Sequence, residues 1–390
     1  MESRIVYMDN NATTRMADEV KQILKETEDL YGNGSSMHSL GRNAREAIEW
    51  ARGEVAVLLG AKPDEIFFNS GATEGNNTVF NTFRDLIDEG GKRNRILLSS
   101  VEHPASIESA KYMVGKGYKV ETVPVDSSGR LDLDALEKMM GDDVALLSVM
   151  VGNNESGAIE PVKEASAIAR RYGSYVHADA TQAIGKIPVD VNDLDVDYLT
   201  LSAHKFYGPK GVGAIYIRTG VPRMPFLHGG HQEEGLRAGT YNTQAIAGLG
   251  KAAELARKSV DDERKYLWGL RTMLKEGIAE SIPDVVFNGS DEYEKELPGT
   301  LNVSFPGAEG ESILLYLDLE GIEVSTGSAC ASGSLEPSYV LLASGLDVEL
   351  AHGSIRFSLG RYNDEDDVKY VLEKLPPIIS RIRAMSTRRI

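Results

Sequence analysis

Between Val144 and Val151 the chain reads VALLSVMV, a run in which Ser148 is the only polar side chain. A strand that is apolar on both faces needs cover on both faces, which is the signature of a parallel sheet sandwiched by helices. The surrounding sequence repeats that unit. Glu65–Ser70, Arg95–Ser100 and Tyr118–Val125 are β-branched or apolar runs, each followed by a helical pattern. Ser174-Tyr-Val-His-Ala and Asp197-Tyr-Leu-Thr-Leu continue the series, and Gly213–Arg218 reads as an edge strand. Helices are expected after Asp18 (Val20, Ile23, Leu24 and Leu30 at helical spacing), near Asn43, over Leu131–Met140 and from Pro161.

Past Thr219 the pattern changes. A glycine-punctuated loop, HGGHQEEGLRAGT, runs from His228 to Thr240, and a long helical region covers Ala245–Ser281. A smaller α+β unit follows, with strands near Gly299–Phe305 and Gly353–Phe357 and a helix over Glu309–Leu319. Its closing helix, Asp364–Leu375, has a core-facing stripe of Val368, Val371, Leu372 and Leu375.

In an open α/β sheet the ligand crevice lies outside the carboxyl ends of the strands. Several of those ends carry polar residues here. Gly71-Ala72-Thr73 follows one run as a strand–turn–helix suited to phosphate, although the Gly-Lys-Ser/Thr ending of a P-loop is absent. His103, Asn154 and the pair Asp179/Gln182 stand after others, and Ser202-Ala-His204-Lys205 ends the run from Asp197. Each alone is more often a cap or turn residue, and it is their joint placement at strand ends that points to a cofactor crevice. A carboxylate and a lysine converging on one flat ligand is what pyridoxal phosphate requires, a lysine for the Schiff base and an acid for the pyridine nitrogen.

Composition narrows the partners. With 42 Lys and Arg against 59 Asp and Glu, the net charge is −17, which argues against a nucleic-acid footprint and is compatible with a basic protein partner. No stretch reaches the ~20 apolar residues of a membrane helix. MESRIVYMDNNATT lacks an apolar signal core, so a cytoplasmic protein is expected. Cys330 is the one cysteine, so the chain alone builds neither a disulfide nor a cysteine-rich metal site. Its surroundings, Ser325-Thr-Gly-Ser-Ala-Cys330-Ala-Ser-Gly-Ser334, are small and glycine-punctuated. A solvated loop presenting an accessible thiol is expected there, where a buried structural cysteine would have bulky apolar neighbours.

SAHKFYGPKGVGA around Lys205, STGSACASGSLEPSYVL around Cys330, YMDNNATT from Tyr7 and SIRFSLGR ending at Arg361 resemble the cysteine desulfurases. The long cysteine loop is similar to that of the housekeeping iron–sulfur group, the IscS/NifS-like branch of the class-V aminotransferase superfamily. The resemblance implies the fold-type-I architecture of pyridoxal-phosphate enzymes: a large, mostly parallel α/β domain over residues 15–258, and a smaller α+β domain formed by 1–14 and 259–390. The latter would carry a mobile cysteine loop at about 325–337.

By resemblance, Lys205 carries the cofactor, Asp179 pairs with its pyridine nitrogen, His103 stacks on the ring and Gln182 meets the ring hydroxyl. Thr73, Ser202 and His204 look like phosphate ligands, and Ala72 and Asn154 are further cofactor contacts. Thr240 would reach the phosphate of the other protomer in a homodimer. Asn154 and Arg356 match the holders of the substrate carboxylate, where a guanidinium fork suits a bidentate contact. The implied reaction takes L-cysteine to L-alanine with Lys205, His103 and Cys330 as catalytic residues. A persulfide is left on Cys330 for an iron–sulfur scaffold or for tRNA thiolation, and Cys330 could also ligate a transferred cluster. Gly34 departs from a proline common in relatives, and the chain ends at Arg389-Ile390 without the longer tail some relatives use for docking. Three other readings stay open on the residues: an aminotransferase, which needs no Cys330; a selenocysteine lyase; and a scaffold without cofactor.

Overall fold

The computed structural model describes residues 4–84, 93–326 and 336–385. Strand β1 (Val6–Tyr7) precedes a large sheet of β2 (Ile66–Asn69), β3 (Arg95–Ser99), β4 (Lys119–Val123), β5 (Val144–Met150), β6 (Tyr175–Asp179), β7 (Tyr198–Ser202) and β8 (Gly213–Ile217). β9 (Val286–Asn288), β10 (Thr300–Ser304) and β12 (Ser354–Ser358) form a second, antiparallel sheet, and β11 (Ile322–Glu323) pairs with β1. The helices around the large sheet are α1 (Asp18–Glu26), α2 (Ser39–Leu59), α3 (Ala72–Arg84), α4 (Pro104–Val114), α5 (Leu133–Met139), α6 (Val162–Arg171), α7 (Val191–Leu194) and α8 (Thr243–Ser281). α9 (Gly310–Leu319), α10 (Tyr339–Ala343), α11 (Val348–His352) and α12 (Glu365–Met385) accompany the smaller sheets.

The apolar runs form interior strands as expected. β5 is buried at every position and pairs in parallel with β3 and β6. Its neighbouring side chains go to opposite faces: Leu147 packs toward α2, α6 and α8, while Leu146 packs with Phe80 and Phe83 of α3 and Ala110 of α4.

The order across the large sheet is β2-β8-β7-β6-β5-β3-β4. Gly213–Arg218, expected at the edge, is therefore corrected to an interior strand that runs antiparallel to both β2 and β7. Its residues GAIYI are fully buried, and Gly213 is required by a close approach: a Cβ there would stand 2.4 Å from the Leu201 carbonyl. Because β8 alone is reversed, β2, β3, β5, β6 and β7 all end on one side of the sheet.

Helix α8, roughly 58 Å long at 1.5 Å per residue, serves two cores. Ile246, Leu249 and Ala253 pack into the sheet core, whereas Leu267, Leu270 and Leu274 pack with Val303, Phe357 and Val371. The last helix was expected to stop at Leu375 but continues through Pro376 and Pro377 to Met385. Each proline removes a helical N–H, a cost of about 3 kcal/mol in an isolated helix interior. Continuation keeps Ile379 and Ile382 in the stripe begun by Val368 and Val371. α1 is shorter than expected and leaves Leu30 outside it.

After β5 the chain turns back, and Glu160 accepts the Leu131 N–H at 2.7 Å. The Glu160 side chain is buried, and desolvation pushes its pKa up to about 8, against smaller opposing effects from the Leu131 N–H and Arg130. The folded protein thus holds a proton that the unfolded chain has lost above its ordinary carboxyl pKa. This contribution to stability is complete below about pH 4.5 and is lost as pH rises toward 8. Glu160→Gln removes the slope. Between pH 6 and 8 the variant is expected to gain on the wild type by about 1 kcal/mol per pH unit. Urea titrations at the two pH values measure the difference, and parallel curves would overturn the assignment.

Candidate active site

A cavity of about 490 Å³ opens at the shared carboxyl ends of the strands. Ala72, Thr73 and His103 line it, as do Asn154, Asp179, Gln182, Ser202, His204 and Lys205. Residues far apart in sequence meet there because the parallel topology gives their strands a common end.

Lys205 closes a 3-10 turn, Ala203–Lys205, directly after β7. The turn is pinned by Ala203 N–H to the Val212 carbonyl and by Gly208 N–H to the Ala203 carbonyl, at 3.1 and 2.9 Å. The Lys205 amine, half-buried, donates to the Asn11 and Ala12 carbonyls at 2.7 and 2.8 Å. Asp179 ends β6, the strand beside β7. Its carboxylate accepts from Asn76 Nδ2 at 2.8 Å and from the Thr181 N–H at 2.9 Å. Thr200 donates to Asn76 Oδ1 at 2.6 Å, which fixes the amide so that its NH2 group faces Asp179. Behind this chain His177 is wholly buried, and desolvation drives its pKa down to about 4.

His103 is the N-cap of α4, and its Nδ1 accepts the Ala105 N–H at 3.1 Å. Burial lowers its pKa, with Lys205 adding to the effect and Asp179 opposing it. The ring is therefore neutral near pH 7, with its proton on Nε2. Burial and the neighbouring Lys205 and Lys210 likewise push His204 down to about 4; its Nδ1 lies 3.1 Å from Thr13 Oγ1.

The first turn of α3 follows Gly71, whose φ of +148° suits glycine. A Cβ on Gly71 would fill the space 3.3 Å from Ser202 Oγ. The backbone N–H groups of that first turn have no partner within the helix, which is the ordinary make-up of an anion site.

Arg356 and Thr240 lie outside this cavity. The Arg356 guanidinium, almost fully buried on β12, donates to the Asn154 carbonyl and to Asp9 Oδ1, each at 2.8 Å. Thr240 is exposed and lines a neighbouring cavity of about 260 Å³ that shares Ser70 and Gly211 with the first. Cys330 lies outside the described residues. On one side of it, Ser325 and Arg356 exchange backbone hydrogen bonds at 3.2 and 2.7 Å. On the other, Ser338 Oγ donates to Glu155 and the Tyr339 hydroxyl to the Glu102 carbonyl, each at 2.5 Å.

Sequence reasoning missed Asn11, Asn76, Lys186 and Glu102. Glu102 has no exposed surface and accepts the Met150 N–H at 2.5 Å. Burial, then the Asp179 charge, raise its pKa well above the usual carboxylate range. The only available signal for Asn76 was a polar residue on the buried face of an otherwise regular helix.

The class-V aminotransferase family model matches residues 6–371. The cysteine desulfurase IscS of Dictyoglomus turgidum is 48% identical over 98% of this chain and 96% of its own length. The cysteine desulfurase IscS of Methanosarcina thermophila is 45% identical over 99% of this chain and 94% of its own. A solved NifS-like protein superposes with a TM-score of 0.90 at 41% identity, over 97% of this chain and the whole of the other. The NifS-like protein from Rickettsia africae ESF-5 gives 0.87 at 30% identity, again over 97% and 100%. With the family match spanning nearly its whole length and relatives this similar at both levels, the chain belongs to the class-V aminotransferases and, within them, to the cysteine desulfurases.

Proposed function

We propose that this chain is a pyridoxal-phosphate-dependent cysteine desulfurase that converts L-cysteine to L-alanine and leaves the sulfur as a persulfide on Cys330. The observation that carries the reading is the convergence of the Lys205 amine and the Asp179 carboxylate, from the ends of neighbouring parallel strands, on one cavity rimmed by the first turn of α3. The residues fit the cofactor. There is an amine for covalent attachment, a buried carboxylate for the pyridine nitrogen, and a glycine-bounded helix start for the phosphate, with Ser202 and His204 beside it.

When bound, pyridoxal phosphate supplies an electron sink for the charge left at the substrate α-carbon. Lys205 removes the α-proton; its amine donates to the Asn11 and Ala12 carbonyls at the cavity. Asn154 and Arg356 orient the substrate carboxylate. His103 carries the proton at the substrate thiol through Nε2. The Cys330 thiolate attacks the substrate sulfur; an S–S bond forms, the C–S bond breaks, and the carbon keeps the electron pair and takes a proton to become the methyl group of alanine. The persulfide then passes to an acceptor protein, an iron–sulfur scaffold or a tRNA-thiolation component. The anchoring of the flanks of the Cys330 segment on Arg356, Glu155 and Glu102 supports its action at this cavity.

The working form under this reading is a homodimer in which Thr240 reaches the phosphate of the other protomer, and its compartment is the cytoplasm. No helix among the described residues is long and apolar enough to cross a membrane.

The test is single-turnover alanine release from L-cysteine, with persulfide mapped by mass spectrometry, in wild type and Cys330→Ala. One alanine per site and one added sulfur on Cys330 are expected, with the adduct absent from the variant. Equal alanine release without Cys330, or a coloured enzyme that releases none, would sink the reading.

A further inference from the structure

Lys186 lies in the turn segment after β6 and has no role in the scheme above. Its amine donates to Gln182 Oε1 at 2.6 Å and to Asn11 Oδ1 at 2.7 Å. The same Gln182 donates through Nε2 to the Asn11 carbonyl at 2.8 Å. Asn11 is fixed independently, because its Nδ2 donates to the Asn154 carbonyl at 3.1 Å and to Thr300 Oγ1 at 2.9 Å. Its Oδ1 must therefore be the atom that faces Lys186.

The orientation of Gln182 follows by elimination. A carbonyl oxygen only accepts and a lysine amine donates, so reversing the Gln182 amide would set its NH2 against the Lys186 amine and its oxygen against the Asn11 carbonyl. Two hydrogen bonds would become two repulsions. In the observed orientation Oε1 is occupied by Lys186, Nε2 spends one N–H on Asn11, and one N–H remains while the side chain lines the cavity.

We propose that Lys186 is a positioning residue that locks Gln182 as a hydrogen-bond donor toward the bound cofactor. Gln182 then donates to the ring oxygen and does not accept from it. The proposal rests on the reading above that Gln182 meets the cofactor ring.

A lysine that served only to neutralise charge would be placed beside an acid. Lys186 instead contacts two neutral amide oxygens. Burial first, then the nearby charges of Lys205 and Arg356, lower its pKa well below the usual lysine value, against Glu263. A neutral amine keeps two N–H bonds for the two acceptors but gains a lone pair, and in that state the reversed amide is excluded by its oxygen facing the Asn11 carbonyl.

The test uses the holoenzyme and reads the pH midpoint of the visible absorbance of the bound cofactor. A donor to the ring oxygen stabilises that oxygen's anionic form, so losing it raises the midpoint. Gln182→Ala is expected to raise it by about one pH unit, the size of one hydrogen bond to a charged oxygen. Lys186→Met is expected to raise it comparably in the wild-type background and to leave it unchanged in the Gln182→Ala background. Lys186→Arg, which keeps donors at this position, is expected to restore the wild-type midpoint.

If Gln182→Ala moves the midpoint and Lys186→Met does not, the Lys186 proposal alone fails. An equal Lys186→Met shift in both backgrounds would mean that lost charge, not amide orientation, is responsible, and also overturns it. If Gln182→Ala itself has no effect, the reading of Gln182 falls and the proposal with it. Should Lys186→Met not accumulate as holoenzyme, Lys186→Arg decides: a full-sized shift there overturns the lock.

Discussion

Alanine release from L-cysteine is expected to fall by at least about a thousandfold when Lys205 is replaced by alanine, the size of a lost general base. The residue stands on a tightly tied turn between β7 and β8, and its amine is held by two backbone carbonyls of the Asn11–Ala12 segment. Among its neighbours, His103 and His204 both have lowered pKa values and are neutral near pH 7, so neither matches an amine in accepting the α-proton at the same place. The substitution removes a half-buried side chain that donates to the Asn11 and Ala12 carbonyls, and the turn keeps its own hydrogen bonds. Folding stability is therefore expected to change by less than about 1 kcal/mol. Two measurements separate catalysis from folding: single-turnover alanine release, and whole-protein mass after borohydride reduction, which detects a covalently held cofactor. A variant that keeps a tenth of wild-type release, or still carries the reduced adduct, would remove Lys205 from the role assigned to it.

What could be read from sequence was what a local pattern encodes. β5 was legible because an interior parallel strand admits almost no polar residue, and the place of Asn154 in the loop after it follows directly. His103, Asp179 and Lys205 were legible as candidates because strand ends carry function in such sheets, whichever strands they happen to join. β8 was misplaced at the edge because a five-residue buried strand has the same composition in the middle of a sheet as in a covered edge. Only its pairing with both β2 and β7 decides. The extension of α12 was hidden by Pro376 and Pro377, whose local preference is overridden by burial of Ile379 and Ile382. The supporting polar network was illegible for a different reason. Asn76 acts on Asp179 across 103 residues, and Asn11 acts on Gln182 across 171. Nothing in the neighbourhood of either asparagine signals the partner.

The same long-range logic sets the largest expected loss of stability, at Glu233. The segment that leads to Thr240 is held to β2 by this one buried carboxylate. Arg52 donates to it from both terminal nitrogens, at 2.7 and 2.8 Å, and the Phe68 N–H donates at 2.6 Å. The Arg52 guanidinium also donates to the Ile66 carbonyl at 2.6 Å and lies 4.7 Å from the centre of the Phe68 ring. Both partners are more than nine-tenths buried. Glu233→Ala leaves the Arg52 charge and the Phe68 N–H without their partner, and a buried charge so stranded costs about 3–5 kcal/mol. Arg52→Leu strands the carboxylate and is expected to cost a similar amount. Combining Arg52→Leu with Glu233→Ala removes both charges, so the double variant is expected to lose far less than the sum, and the cycle isolates the coupling. Backbone strain adds a further discrimination. Glu233 and Glu234 have φ of +48° and +55°, a region that disfavours alanine as much as glutamate and suits glycine. Glu233→Gly should therefore retain about 1 kcal/mol more stability than Glu233→Ala. Urea unfolding of the four single and double variants measures these differences. Single substitutions that cost under about 1 kcal/mol would show the pair to be solvated in solution. In that case the Thr240 segment would need another anchor, for which Arg237, paired with Glu74 at 2.9 Å, is the nearest charged contact.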